Sequence, residues 1–126
     1  MSKTYETSEQ GKVEYLQTHY YKCFSDKMLE FITKLFTEHY GFKVVAVNDD
    51  YSEICAYSTK EDITVKVTQV EVNRTAVDFF ISTRTLFDFG KTKNLILDIY
   101  NEISKNFEYL GVSLNNDTLN NGTKNE

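Results

Sequence analysis

The strongest constraint on this chain is a change of hydrophobic period between residues 63 and 107. Over Ile63–Val72 (ITVKVTQVEV) and Thr75–Thr85 (TAVDFFISTRT) apolar and polar residues tend to alternate. From Leu95 onward apolar residues recur at helical spacing, at Leu95, Ile96, Ile99, Tyr100, Ile103 and Phe107. A period of two buries one face of a strand, and spacings of three and four bury one face of a helix. The segment therefore reads as two strands followed by a helix that starts near Gly90 to Thr92. Gly111 closes that helix, with Val112 and Leu114 as a short packing segment. Val65 and Val67 share the core face with Val77, Phe79 and Ile81. A one-residue slip would turn every side chain over, so the hairpin at Asn73-Arg74 needs a three-residue loop or a bulge. That register places Val65 across from Thr83, Val67 from Ile81 and Gln69 from Phe79.

Upstream, Val13–Phe24 is aromatic with a loose period of two and reads as a first strand. Ser25-Asp26 offers an N-cap, and Met28, Leu29, Ile32, Leu35, Phe36 and Tyr40 follow at helical spacing to Gly41, a left-handed C′ residue. Phe42–Asn48 and Ser52–Ser58 are two more strands, set off by the polar turns Asn48-Asp49-Asp50 and Thr59–Asp62. The expected fold is α+β: an antiparallel sheet of about five strands in the order β-α-β-β-β-β-α, with two helices packed on one face. The chain has 126 residues, 40% of them apolar, with nine Tyr and nine Phe, enough for one core. Residues 1–11 read as a flexible N-terminal arm, 12–114 as a single domain and 115–126 as a disordered polar tail.

Strand, helix, four strands, helix: this order resembles the TATA-box-binding-protein-like fold, a curved antiparallel sheet with two helices on its convex side. The resemblance is one of element order and implies fold alone. Its DNA-binding members carry phenylalanines and positive side chains on a basic saddle, a pattern that this chain lacks. The chain is also similar to many small bacterial cytosolic proteins without an assigned activity.

The formal net charge is −5, and Arg74 and Arg84 are the only arginines. Nucleic-acid binding draws on clustered Lys and Arg to displace counterions and on arginine forks to read bases. The balance argues against nucleic acid and against an acidic membrane surface. No apolar run approaches the roughly 20 residues that span a bilayer. The N-terminus lacks the apolar region of a signal peptide. A cytoplasmic location follows as the expectation, with Cys23 and Cys55 as reduced thiols.

The stretch TRTLFDFGKTKN, residues 83–94, contains Asp88-Phe89-Gly90, a kinase tripeptide, and Gly90-Lys91-Thr92, the end of a P-loop. The P-loop pattern requires a glycine where Thr85 stands, and bulky residues fill the bend. The kinase reading lacks its Gly-rich and catalytic loops. A structural joint accounts for all of it. Asp88 accepts hydrogen bonds from the first amides of the last helix, Gly90 turns the chain with φ > 0, and Phe87 and Phe89 pin the helix to the sheet.

No catalytic, cofactor-binding or metal-binding residue is assigned. His39 reads as a helix C-terminal residue favoured by the dipole. His19 reads as part of the first strand, facing the same way as Tyr15 and Tyr21. A metal would need the two histidines and a carboxylate to converge. The informative surface is the second sheet face, where Thr64, Lys66, Thr68 and Val70 line up with Arg84, Ser82, Phe80 and Asp78. The candidate interaction or ligand face is therefore Lys66, Thr68, Phe80, Ser82 and Arg84, with Phe80 as anchor. The expected function is a small protein-interaction domain without catalysis, binding another protein or itself as a homodimer. The alternative is a small-molecule carrier or sensor, its ligand held between the sheet and the C-terminal helix with Arg84 or Lys66 as counter-ion. An enzyme using His19 and tyrosines as acid and base ranks third.

Overall fold

The computed structural model describes residues 3–48, 52–85 and 87–112. The chain is α+β. It runs β1 (Lys3–Glu6), a 3₁₀ turn (Glu14–Leu16), β2 (His19–Lys22), α1 (Ser25–Lys34), β3 (Lys43–Asn48), β4 (Glu53–Tyr57), β5 (Glu61–Glu71), β6 (Arg74–Thr83), α2 (Lys91–Ser104) and β7 (Glu108–Gly111). One antiparallel sheet has the order β3-β4-β5-β6-β2-β7, and β1 pairs with β6 as well. The seven strands exceed the expected five because β1 and β7 add to the sheet. The tail 115–126, Leu114 and the Asp49-Asp50 part of the first turn lie outside the described residues.

Both helices pack on one face. Ile54 and Ala56 of β4, Ile63, Val65 and Val67 of β5, and Val77, Phe79 and Ile81 of β6 form one cluster with Met28, Leu29, Ile32, Leu35 and Phe36 and with Ile96, Ile99, Tyr100 and Ile103. Most of these side chains are fully buried. The expected alternation thus holds through β5 and β6, and the expected helical faces hold in α1 and α2. Beyond Lys34 the first helix widens into a π-helical turn, Leu35–His39, in which the Tyr40 amide reaches back to the Leu35 carbonyl (3.1 Å). Gly41 ends it at φ +69°, and the Phe42 amide donates to the Phe36 carbonyl (2.8 Å), closing a Schellman-type end. The cap at the other end differs from expectation, since Phe24 holds the N-cap position and Ser25-Asp26 lie in the first turn.

Four expectations are corrected. Residues 3–11 are not a loose arm: Lys3–Glu6 pairs with Phe80–Thr83, and the chain after it is bound to the sheet. The first strand is not Val13–Phe24 but the shorter His19–Lys22. The last helix stops at Ser104 rather than Gly111, and Glu108–Gly111 returns as a strand against β2. The β5–β6 hairpin keeps its faces but changes register. Val72-Asn73 make the turn, with Asn73 at φ +59° and a bulge between Gln69 and Glu71. Val65 therefore pairs with Phe79 and Val67 with Val77. Asn tolerates the left-handed conformation, so the turn closes one residue earlier than Asn73-Arg74 implied.

Gly90 turns the chain into α2 at φ +80°, as the joint reading expects. Asp88 Oδ1 accepts the Gly90 amide (3.0 Å), and Asp88 Oδ2 accepts the Tyr5 hydroxyl (2.9 Å). The Thr92 hydroxyl, then Tyr5 and the amides of Gly90 and Thr92, hold the Asp88 carboxyl down at about 2, against desolvation. Thr92 Oγ1 is buried and makes no hydrogen bond of standard geometry. Phe87 and Phe89 do not pin the helix; they are 74% and 90% exposed. Ile96, Ile99 and Ile103 hold α2 to the core instead.

β2 carries His19 into the protein. Its ring stacks on Tyr100 at 3.4 Å, lies 5.2 Å from Tyr109, and its Nδ1 meets the Gln17 carbonyl at 2.9 Å. Burial lowers its pKa from 6.5 to about 4, opposed by that carbonyl and by the Glu14 charge. The folded protein thus refuses a proton that the unfolded chain accepts, so stability is present above pH 6.5 and is lost as pH falls toward 4. From pH 7 to 5 the loss should be about 2 kcal/mol. Urea unfolding at the two pH values checks it, and His19→Phe, which keeps an aromatic ring in the stack, should flatten the difference.

Candidate functional site

The face away from the helices is built in rows across the strands. One row runs Glu53 (β4), Lys66 (β5), Asp78 (β6); the next runs Cys55, Thr64, Phe80, Glu6, the last from β1. Alternation places these side chains opposite the buried set. The segment after β1 forms a wall beside them. Together, Glu6 of β1, Thr7, Ser8, Glu9, Gln10 and Thr18 from that segment, and Glu53, Thr64, Lys66, Asp78, Phe79 and Phe80 from the rest of the sheet line a groove of about 490 Å³.

Asp78 fixes the wall. Asp is disfavoured inside a strand, and a half-buried carboxylate needs donors. Both ends of the 7–18 loop supply them: Thr7 Oγ1 and Thr18 Oγ1 each donate to Asp78 Oδ1 at 2.7 Å. The Phe79 amide donates to Thr7 Oγ1 (2.8 Å) and the Thr7 amide to the Phe79 carbonyl (2.9 Å). The loop is tied again by Ser8, whose amide donates to the Leu16 carbonyl (3.0 Å) and whose carbonyl accepts the Thr18 amide (3.2 Å). At Gly11 a Cβ would stand 2.0 Å from the Leu16 carbonyl oxygen, so the loop closes only around glycine.

The groove is acidic. Glu6, Glu9, Glu53 and Asp78 line it against the single ammonium of Lys66. Desolvation, followed by the charge of Asp78, raises the Glu9 pKa. Phe80 is 45% exposed at the edge of this field.

Of the five candidate residues, Lys66 and Phe80 line the groove and Thr68, Ser82 and Arg84 do not. The register explains the split: Thr64, not Thr68, stands across from Phe80, and Thr68 pairs with Ala76. Arg84 is engaged elsewhere, with Asp62 at 2.6 Å and the Ser58 carbonyl at 2.9 Å, where it braces the β4–β5 turn. The space between the sheet and the body of α2, the expected ligand site, is filled by buried Ile96, Ile99, Tyr100 and Ile103. A smaller hollow of about 170 Å³ lies at the start of α2, beside Asp88 and Phe89. Sequence reasoning missed Glu6, Thr7 and Glu9 because they belong to the segment read as an arm, and Thr18 because it falls in the segment read as the first strand. The signal within reach was Asp78, a carboxylate in the middle of an apolar strand.

The two histidines do not converge. His19 is buried in β2 and lines neither hollow, and His39 is exposed at the end of the π-helical turn. His39 instead meets two carboxylates of α2, Asp98 and Glu102, with one potential ligand atom from each residue lying within 4.8 Å of the others. Cys23 is buried and Cys55 half-buried, both as free thiols. No helix among the described residues is long and apolar enough to cross a membrane.

Comparison with protein-family models, curated proteins and solved structures finds no match to this chain.

Asp78→Ala should leave the Thr7 and Thr18 hydroxyls, both in buried residues, without their acceptor, a cost of about 2–4 kcal/mol. Chemical denaturation measures it. Limited proteolysis should then cut first within residues 7–18, the segment that the carboxylate ties down.

Proposed function

We propose that this protein is a binding module whose open sheet face receives a cationic side chain, lysine or arginine, presented by a partner protein. The observation that carries this reading is the groove's charge: four carboxylates against one ammonium, with the Glu9 pKa raised first by desolvation and then by the charge of Asp78. A cation entering there relieves carboxylate repulsion, and the half-exposed Phe80 ring offers it a π face. A volume of about 490 Å³ suits a long side chain with part of its backbone. The same charge disfavours an anionic ligand and the phosphates of nucleic acid. The free thiols support a reducing compartment, and a cytoplasmic location is part of the proposal.

Self-association is the second reading, favoured by a different surface. β3 ends the sheet, and Val45 and Val47 on it are 64% and 42% exposed. A second copy pairing edge to edge would cover them. Face-to-face pairing through the groove would bring carboxylates together.

Titration calorimetry with short lysine- and arginine-containing peptides, against glutamate-containing controls, tests the first reading. The basic peptides should bind, and Glu9→Gln with Glu53→Gln should weaken them about 10-fold, with strong salt dependence. Equal binding of acidic peptides would sink the idea. Light scattering on wild type, Val45→Lys and Phe80→Asp sorts the second: a dimer lost in Val45→Lys alone marks the edge, and one lost in Phe80→Asp alone marks the face.

A further inference from the structure

We infer that His39, Asp98 and Glu102 form a site for one divalent transition-metal ion, bridging the end of the first helix to α2. The cluster lies on the helical layer, apart from the groove, and comes from two elements. Asp98 and Glu102 are four apart on α2, so one helical face presents both carboxylates. His39 closes the π-helical turn that follows α1. Such turns insert an extra residue per ring and so re-aim the side chains beyond them.

The geometry suits an ion. One ligand atom from each residue lies within 4.8 Å of the others. For three atoms at that limit, an ion placed equally between them stands about 2.8 Å from each, and side-chain rotations of under an ångström bring it to zinc bonds of about 2.0–2.2 Å. His39 and Asp98 are exposed and Glu102 half-buried, so these rotations meet little packing.

Chemistry narrows the metal. Calcium and magnesium favour all-oxygen shells, whereas imidazole with carboxylates suits zinc and its first-row neighbours. The surroundings already hold the ligands. The Tyr40 hydroxyl donates to Asp98 Oδ2, an outer-shell bond of the kind that orients a coordinating carboxylate. The Tyr40 ring also packs edge-on against His39, centroids 4.8 Å apart. Lys105 Nζ pairs with Glu102 Oε2 at 3.0 Å and competes with the ion for that oxygen. Three ligands leave coordination positions open to solvent.

Titration calorimetry of zinc chloride into the full-length, metal-stripped protein tests the inference. Wild type should bind one ion, and Cys55→Ser should bind it equally, which removes the half-buried thiol as the ligand. His39→Ala and Glu102→Gln should each weaken binding at least about 10-fold. NMR of wild type supplies a readout independent of any variant: zinc should shift the His39 ring signals and leave those of buried His19 in place. Absence of zinc binding, unchanged affinity in His39→Ala, or an unmoved His39 ring would each overturn the site.

Discussion

Much of this architecture depends on one carboxylate in one strand. β6 is the sheet's hub: β5 lies along one edge, and two short strands, β1 and β2, divide the other. Asp78 sits at the point where β1 gives way to β2 and accepts a hydroxyl from each end of the connecting loop. The two hydroxyl donors offset the desolvation of the half-buried carboxylate, and the loop supplies both. The loop in turn is the wall of the groove, so the interaction that completes the sheet also creates the concave surface.

The opposite face obeys a different rule. There the constraint is volume, and isoleucines, valines and Phe79 fill the space between sheet and helices without leaving room for a ligand. Tyr100, like Tyr21, brings a hydroxyl into that space. Its ring packs on His19 and Phe79 while its hydroxyl donates to the carbonyls of Val77 and Gln17, so a polar group crosses the core fully satisfied. The low pKa of His19 follows from this packing. A shifted histidine often marks a site of chemistry; here the shift has burial as its first cause, in a ring stacked on Tyr100 beside Tyr109.

The elements legible in the sequence were those whose own residues specify them. Met28 through Phe36, closed by Gly41, fix a helix and its buried face locally, and Val65, Val67, Val77, Phe79 and Ile81 fix which side of the hairpin is buried. Register was not legible, because alternation decides parity alone. Where the turn closes rested on Asn73 accepting φ +59° and on a bulge, and neither leaves a mark in hydrophobic pattern. Lys3–Glu6 and Glu108–Gly111 are strands only because edges of β6 and β2 await them, and a sequence such as KTYE carries no alternation to announce it. Phe87 and Phe89 show the limit of the apolar rule: large hydrophobic residues are not obliged to be inside.

The candidate surface was half legible for the same reason. Lys66 and Phe80 follow from parity, once the buried face is known. The carboxylates that set the surface's sign do not, since Glu6 and Glu9 arrive from a segment distant in sequence and Glu53 from a strand two ladders away. That difference changes the chemistry. With Lys66 and Arg84 alone in view, the face reads as a receptor for anions. With Arg84 bound to Asp62, and with Lys66 standing in one row with Glu53 and Asp78, the surplus charge facing the groove is negative. A surface's preference is decided by the charges that remain after its own pairs are made, and here tertiary structure alone made those pairs.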